Sequence, residues 1–265
     1  MNKEEKLMKD LKLEKALVIF DLETTGVMVD IDKVLELAYI KIYPDGKKEE
    51  KTYKINPGIK IPIESIEVHK ITNEDVSDWS YFKDYANELL DVFSNCYYGG
   101  FNIIGFDLPM LQKEFKEAGL NFEYKTEDII DSKVIFHTME KRDLSAAYKF
   151  YCDKDHIDAH SAMGDIIATE DILRSQIEKY PDIMNKDFMQ NMHSGKDDRY
   201  VDSDRRFYWR DGEAHFNFGK HRGKSLQKIA SFDSGFLNWM LQADFGPEVK
   251  EIINNALNGI MPTKK

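Results

Sequence analysis

Leu17-Val18-Ile19-Phe20-Asp21-Leu22-Glu23-Thr24-Thr25-Gly26 sets an apolar run against two acids and a glycine-closed turn. Consecutive branched and aromatic residues bounded by a turn signal predict a buried strand. Side chains two apart on a strand share a face, so Asp21 and Glu23 project together at its end. Two such carboxylates repel each other and lose hydration, a cost on the order of several kcal/mol per buried ion unless positive charge compensates. A divalent cation is one compensation. A strand end open to water, with both acids solvated, is the other reading. In a chain with 48 acidic residues a lone D-x-E arises by chance, so the motif gains meaning only when further acids join it.

At 265 residues the chain is long enough for a full α/β core and a smaller second domain. Its first fifteen residues, MNKEEKLMKDLKLEK, are charged and lack an apolar signal region, and no apolar stretch approaches the roughly 18 residues of a membrane span. A cytoplasmic protein with no membrane partner is therefore expected. Cys96 and Cys152 lie far apart with no C-x-x-C spacing, which predicts two reduced thiols rather than a disulfide or zinc site. The net charge of -11 argues against a broadly basic nucleic-acid surface. Distribution modifies that: between Arg199 and Lys228 eight cations face only four acids, so the acidity belongs to the rest of the chain. An acidic domain joined to a locally basic module suits an enzyme that engages an anionic substrate partly through metal ions.

After the first strand, residues 34–43 alternate like a strand, Pro44-Asp45-Gly46-Lys47 is a turn, and 50–55 returns as the hairpin partner. Helical spacing over 81–93, a short strand over 97–102 and a helix over 106–118 capped by Gly119 follow. Two more helices are expected at 144–152 and 161–180, the second with Ile166, Thr169, Ile172, Leu173 and Gln176 along one stripe before Pro181 ends it. Residues 182–204 are polar and aperiodic and read as a linker.

Two further acids stand at helix starts. Asn102-Ile103-Ile104-Gly105-Phe106-Asp107 runs from strand to helix and puts Asp107 in the first turn, where ordinary capping is the competing explanation. In His160-Ser161-Ala162-Met163-Gly164-Asp165 either His160 or Ser161 begins a helix and Asp165 lies one turn in, on the stripe shared with Ile172. An acid on a core-facing stripe needs a partner, whereas His160 alone reads first as a surface or capping histidine.

In this order and spacing, DLETTG, NIIGFD and HSAMGD resemble the three motifs of the DnaQ-like (DEDDh) 3′–5′ exonucleases, over roughly residues 16–180. INPGIKIPIESIEVHKIT resembles the segment between the first two motifs, with Lys70 where many members have glycine. The resemblance implies an α/β, RNase H-like mixed five-stranded sheet flanked by helices, with an exonuclease domain over 16–181. It implies that Asp21, Glu23, Asp107 and Asp165 hold two Mg²⁺ or Mn²⁺ ions and that His160 is the general base. Hard cations prefer carboxylate oxygens, and two of them about 4 Å apart stabilise the attacking and leaving oxygens of a phosphodiester. The implied reaction releases nucleoside 5′-monophosphates from a nucleic-acid 3′ end, with DNA favoured. An RNA-trimming enzyme of the same family, or a non-catalytic nucleic-acid- or polymerase-binding scaffold, are the alternatives. Thr24, Thr25, Gly26 and Asn102 are candidate contacts to the terminal nucleotide; a plain strand-ending turn is the other reading of the first three.

The C-terminal module, 205–262, is expected to be α+β. Arg206-Phe207-Tyr208-Trp209-Arg210, Asp211-Gly212 and 213–218 form a hairpin signal. FNFGKHRGKSL resembles the small C-terminal module of the exonuclease X type. Phe207, Trp209, Phe216, Phe218 and Trp239 are expected as its core, and Lys220, Arg222 and Lys224 as phosphate contacts.

Overall fold

The computed structural model describes residues 14–264 apart from 187–188, 190–191 and 193–196; nearly all of the charged segment 1–15 therefore lies outside the described residues. The chain divides into two compact units, meeting in sequence between Met139 and Glu140.

The first unit is built on one sheet. β1 (Leu17–Thr24), β2 (Val34–Ile42), β3 (Lys48–Lys54), β4 (Tyr97–Gly100) and β5 (Ile129–Asp131) lie in the order β3-β2-β1-β4-β5. β1 to β3 form an antiparallel meander, while β4 and β5 run parallel to β1. Four described α-helices belong to this unit, α1 (Ile63–His69), α2 (Phe82–Phe93), α3 (Asp107–Glu117) and α4 (Ser132–Met139), while α5 (Leu144–Cys152) and α6 (Ala162–Lys179) belong to the second.

β1 alternates rather than burying both faces: Val18, Phe20, Leu22 and Thr24 are buried, while Ile19 and Asp21 are exposed and Glu23 half-buried. The buried face meets α2 and α3 through Leu89, Phe93, Leu111 and Phe115, with the Phe20 and Phe93 rings edge to face at 5.0 Å. β4 ends at Gly100, two residues before the expected limit, because Asn102 adopts a left-handed φ of 70° that a strand cannot continue. A Cβ at Gly100 would lie 2.3 Å from Ile103 Cγ2 and 2.9 Å from the Phe20 carbonyl, so only glycine lets this turn lie against β1. Lys70, the departure from glycine, sits at φ 65° and still closes α1, its N–H donating to Ile66 O at 2.9 Å.

In the second unit α5 and α6 pack through Tyr148, Ala168 and Ile172. The packed stripe of α6 is thus the one through Ala168 and Ile172, and the expected Ile166 and Leu173 are exposed. The C-terminal module pairs β6 (Phe207–Arg210) with β7 (Glu213–Phe216) and adds α7 (Leu226–Phe232), α8 (Ser234–Gln242) and α9 (Pro247–Leu257). Phe207, Phe216, Leu237, Met240, Val249 and Ile253 form its core, joined by half-buried Trp209 and Phe218. Trp239 departs from expectation: it is 54% exposed and lies stacked on Phe236. Residues 197–204, read as the end of a linker, belong to this module. Buried Asp202 accepts the N–H groups of Arg206 (3.0 Å) and Phe207 (2.7 Å), and Val201 N–H donates to Phe207 O at 2.9 Å.

Candidate active site

β1 delivers Asp21 and Glu23 on its open face, and the turn after β4 delivers Asp107 as the first residue of α3. Asp107 is not the cap of that helix: Phe106 holds the cap position, and Asp107 is 4% exposed. Burial and the nearby charge of Asp21 push the Asp107 carboxyl up to about 6, against the N–H groups of Asp107 itself and Leu22, with Asp131 adding to the rise. Glu23 is also raised, by burial, then by Asp21, then by Glu36. Crowding of like charge at the end of a core strand is what a divalent cation relieves. Asp21, Glu23 and Asp107 thus offer hard oxygen donors suited to Mg²⁺ or Mn²⁺. Among the described residues no three His, Cys, Asp or Glu side chains form a ready metal-holding group. The electrostatic crowding, rather than a finished coordination shell, is the feature that fits a cation.

Asp131, absent from the sequence expectations, organises this region. It is buried, and its carboxylate accepts the N–H groups of Asn102 (2.8 Å), Ile104 (3.1 Å), Lys133 (3.0 Å) and Val134 (3.4 Å). Burial alone would raise its pKa, but these donors hold it below the usual carboxylate range. One carboxylate therefore ties β5 and the start of α4 to the turn that carries Asp107. Lys133 Nζ donates to Asn102 Oδ1 at 3.0 Å, so the Asn102 side chain belongs to this brace. The signal in sequence was an Asp-Ser pair ahead of helical spacing, obscured by a strand of three residues.

The turn after β1 is braced in the same way. Thr25 is fully buried, its hydroxyl donating to Asp32 Oδ1 at 3.0 Å, and Met28 N–H donates to Asp32 Oδ2 at 2.8 Å. Thr24 Oγ1 donates to Gly26 O at 2.7 Å, and Ser65 Oγ at the start of α1 donates to Thr25 O at 2.8 Å. The two threonine hydroxyls are thus spent internally, leaving backbone as what this turn presents. A Cβ at Gly26 would stand 2.5 Å from Asp32 Oδ2.

In the second unit Ser161 is the cap of α6, accepting Gly164 N–H at 3.4 Å, and His160 precedes the helix at φ 70° with its side chain exposed. The capping reading of His160 is thereby removed. Asp165 Oδ1 accepts the His160 N–H at 3.2 Å and lies 3.3 Å from Nε2 of His156, whose Nδ1 meets Ser145 Oγ at 3.1 Å. His156 was missed because nothing in its spacing marks it. In the C-terminal module Lys220 is paired with Asp233 at 2.8 Å, and Lys220 and then His221 hold Asp233 down at about 2. Arg222 and Lys224 are exposed on the adjoining turn.

The sheet order, with crowded acids at the end of β1 and the start of α3, defines the class as an RNase H-like α/β domain. A profile of the RNase_T exonuclease family matches residues 18–173. The chain belongs to this family, the DnaQ-like 3′–5′ exonucleases. The 3′–5′ exonuclease DinG of Staphylococcus epidermidis is 24% identical over 165 residues, 61% of this chain and 18% of that protein. DinG of Staphylococcus aureus strain USA300 is 25% identical over the same shares. The chain thus spans under a fifth of the length of these relatives. Among solved structures, the zinc-bound complex of E. coli exonuclease I with single-stranded DNA aligns with a TM-score of 0.42 and 16% identity, covering 68% of this chain and 44% of that one. Exonuclease X with 5′-overhanging duplex DNA gives 0.36 and 20%, covering 62% and 93%.

Proposed function

We propose that the protein is a divalent-metal-dependent exonuclease that removes nucleoside 5′-monophosphates from nucleic-acid 3′ ends, DNA favoured. The observation that carries this is Asp107, buried beside the charge of Asp21 within a chain matched by the exonuclease family. Asp21, Glu23, Asp107 and Asp165 are the proposed holders of two Mg²⁺ or Mn²⁺ ions, which when bound supply a water nucleophile and charge neutralisation at the phosphodiester. His160 is the proposed base that takes the water proton and passes it to solvent. Its exposed ring and its fixed N–H bond to Asp165 support that role. Backbone groups of Thr24, Thr25 and Gly26 are the proposed seat of the terminal nucleotide, with Asn102 alongside. Lys220, Arg222 and Lys224 are proposed to meet phosphates, which makes 205–262 an accessory binding module. A polymerase or other protein partner remains outside this proposal.

No described helix is long and apolar enough to cross a membrane. Two free thiols, Cys96 and Cys152, suit the reducing cytoplasm we propose as its setting. Digestion of matched single-stranded DNA and RNA, with Mg²⁺ and then with EDTA, tests the reading. DNA digestion that stops in EDTA and resumes with Mg²⁺ is expected; undiminished digestion in EDTA overturns it. Preference for the RNA substrate would replace the DNA assignment.

A further inference from the structure

We propose that the C-terminal module binds single-stranded nucleic acid in a concavity between β7 and α7, through Lys224, Lys228 and Phe232. This rests on the reading of the chain as a nucleic-acid enzyme and adds a site beyond the stretch matched by the family. The concavity measures about 720 Å³ and is walled by Glu213 and His215 of β7, the 223–225 turn, and Gln227, Lys228, Ser231 and Phe232 of α7.

Its floor is fixed backbone. Gly223 N–H donates to Phe216 O at 2.8 Å, Phe216 N–H donates to Lys224 O at 3.0 Å, and His215 bridges to Ser225. α7 is anchored by buried Leu226 and Ile229, and Ser225 Oγ caps it by accepting Lys228 N–H at 3.3 Å. Lys228 and Phe232 stand four residues apart and so share one ridge of the helix.

Charge and exposure give the concavity its preference. Several lysines of this acidic chain are ion-paired, Lys51 with Glu88, Lys154 with Asp171 and Lys220 with Asp233. Lys224 and Lys228 make no ion pair among the described residues, and Glu213 is the one acid on the lining. Two ammonium groups against one carboxylate leave the lining with a net positive charge, which draws an anion from outside the protein. Phe232 is 88% exposed at the rim, although its helix has an apolar face that is buried. An exposed ring beside unpaired cations supplies both halves of single-strand recognition, phosphate to ammonium and base to ring. A duplex keeps its bases stacked inside and offers the ring nothing, so the site selects unpaired strand.

The test uses the full chain carrying Asp21→Asn, so that strand is bound rather than degraded, and a fluorescent single-stranded oligo(dT) of about 16 nucleotides. Binding is followed by anisotropy across a salt series. Replacing Lys224 and Lys228 together by Ala is expected to reduce the slope of log K against log salt by about 1.4, two phosphate contacts on a single strand. Phe232→Ala is expected to raise Kd about tenfold with the slope unchanged, as for one stacked base. Lys125→Ala, which removes an exposed cation of the first unit, serves as the charge control and should leave the slope intact. A slope unchanged in the double variant overturns the proposal, and so does a Phe232→Ala variant that binds like its parent. Cleavage of the same oligonucleotide by the protein with Asp21 intact is scored separately. Its absence would count against the catalytic reading, not against the binding site.

Discussion

The Asp131 carboxylate accepts the Asn102 N–H at 2.8 Å, and through that bond β5 holds the turn that delivers Asp107. Asp131→Ala leaves four N–H groups without their acceptor, so a loss of about 2–4 kcal/mol in unfolding free energy is expected. Asp131→Asn keeps one acceptor oxygen and should recover part of that stability. If the brace positions Asp107, kcat falls in both variants while KM for the oligonucleotide changes little. Denaturant melts alongside steady-state kinetics check this; a full loss of stability with unchanged kcat at permissive temperature would make Asp131 a structural residue only.

Asp107 carries a folded-state pKa of about 6 against an ordinary 3.8, so the folded protein binds more protons than the unfolded one between those values. Stability of the metal-free protein therefore falls as pH rises through that window, by on the order of 3 kcal/mol. Asp107→Asn should remove that dependence, raise the melting temperature of the metal-free protein near pH 7.5, and abolish hydrolysis. Thermal melts in EDTA at pH 4.5 and 7.5 give the readout, and equal destabilisation at both values would contradict the cause assigned to the shift.

Ser161, not His160, caps α6, which separates two roles that the sequence left together. Ser161→Ala should cost about 0.5–2 kcal/mol of stability. His160→Ala should leave stability nearly unchanged, lower kcat by about 10²–10⁴-fold and remove the acidic limb of the pH–rate profile. A His160→Ala variant that keeps the wild-type profile would take the base away from this residue.

Much of this was readable in the chain because the deciding signals are local. The run Leu17-Val18-Ile19-Phe20 and the 34–43 alternation named β1 and β2, and the strand-to-helix run ending at Asp107 placed that acid at the start of α3. Three motifs in order implied the fold and family. What stayed hidden depends on chain segments far apart in sequence. Asp131 braces residues 27 and 29 positions earlier, and β5 at three residues is too short to show a period. Asp202 closes a turn within a stretch whose polarity resembles a linker. Trp239 looked like core because hydrophobicity does not reveal which face of a nine-residue helix is covered.

Gly26 is fixed by contact rather than by a left-handed φ, since a Cβ there would meet the buried Asp32 carboxylate at 2.5 Å. Gly26→Ala should displace the turn after β1, raise KM for the 3′ end severalfold and reduce kcat less. Kinetics on a short oligonucleotide decide it; an unchanged KM would remove this turn from the substrate seat.

The most direct measurement of the central claim is the product ladder from a 5′-labelled single-stranded oligonucleotide incubated in Mg²⁺ with the wild-type protein and with Asp21→Asn. The account predicts a label that shortens one nucleotide at a time from the 3′ end with the wild type and stays at full length with the variant. Release of the label as a mononucleotide ahead of any shortened intermediate, internal fragments, or an Asp21→Asn ladder matching the wild type would contradict it.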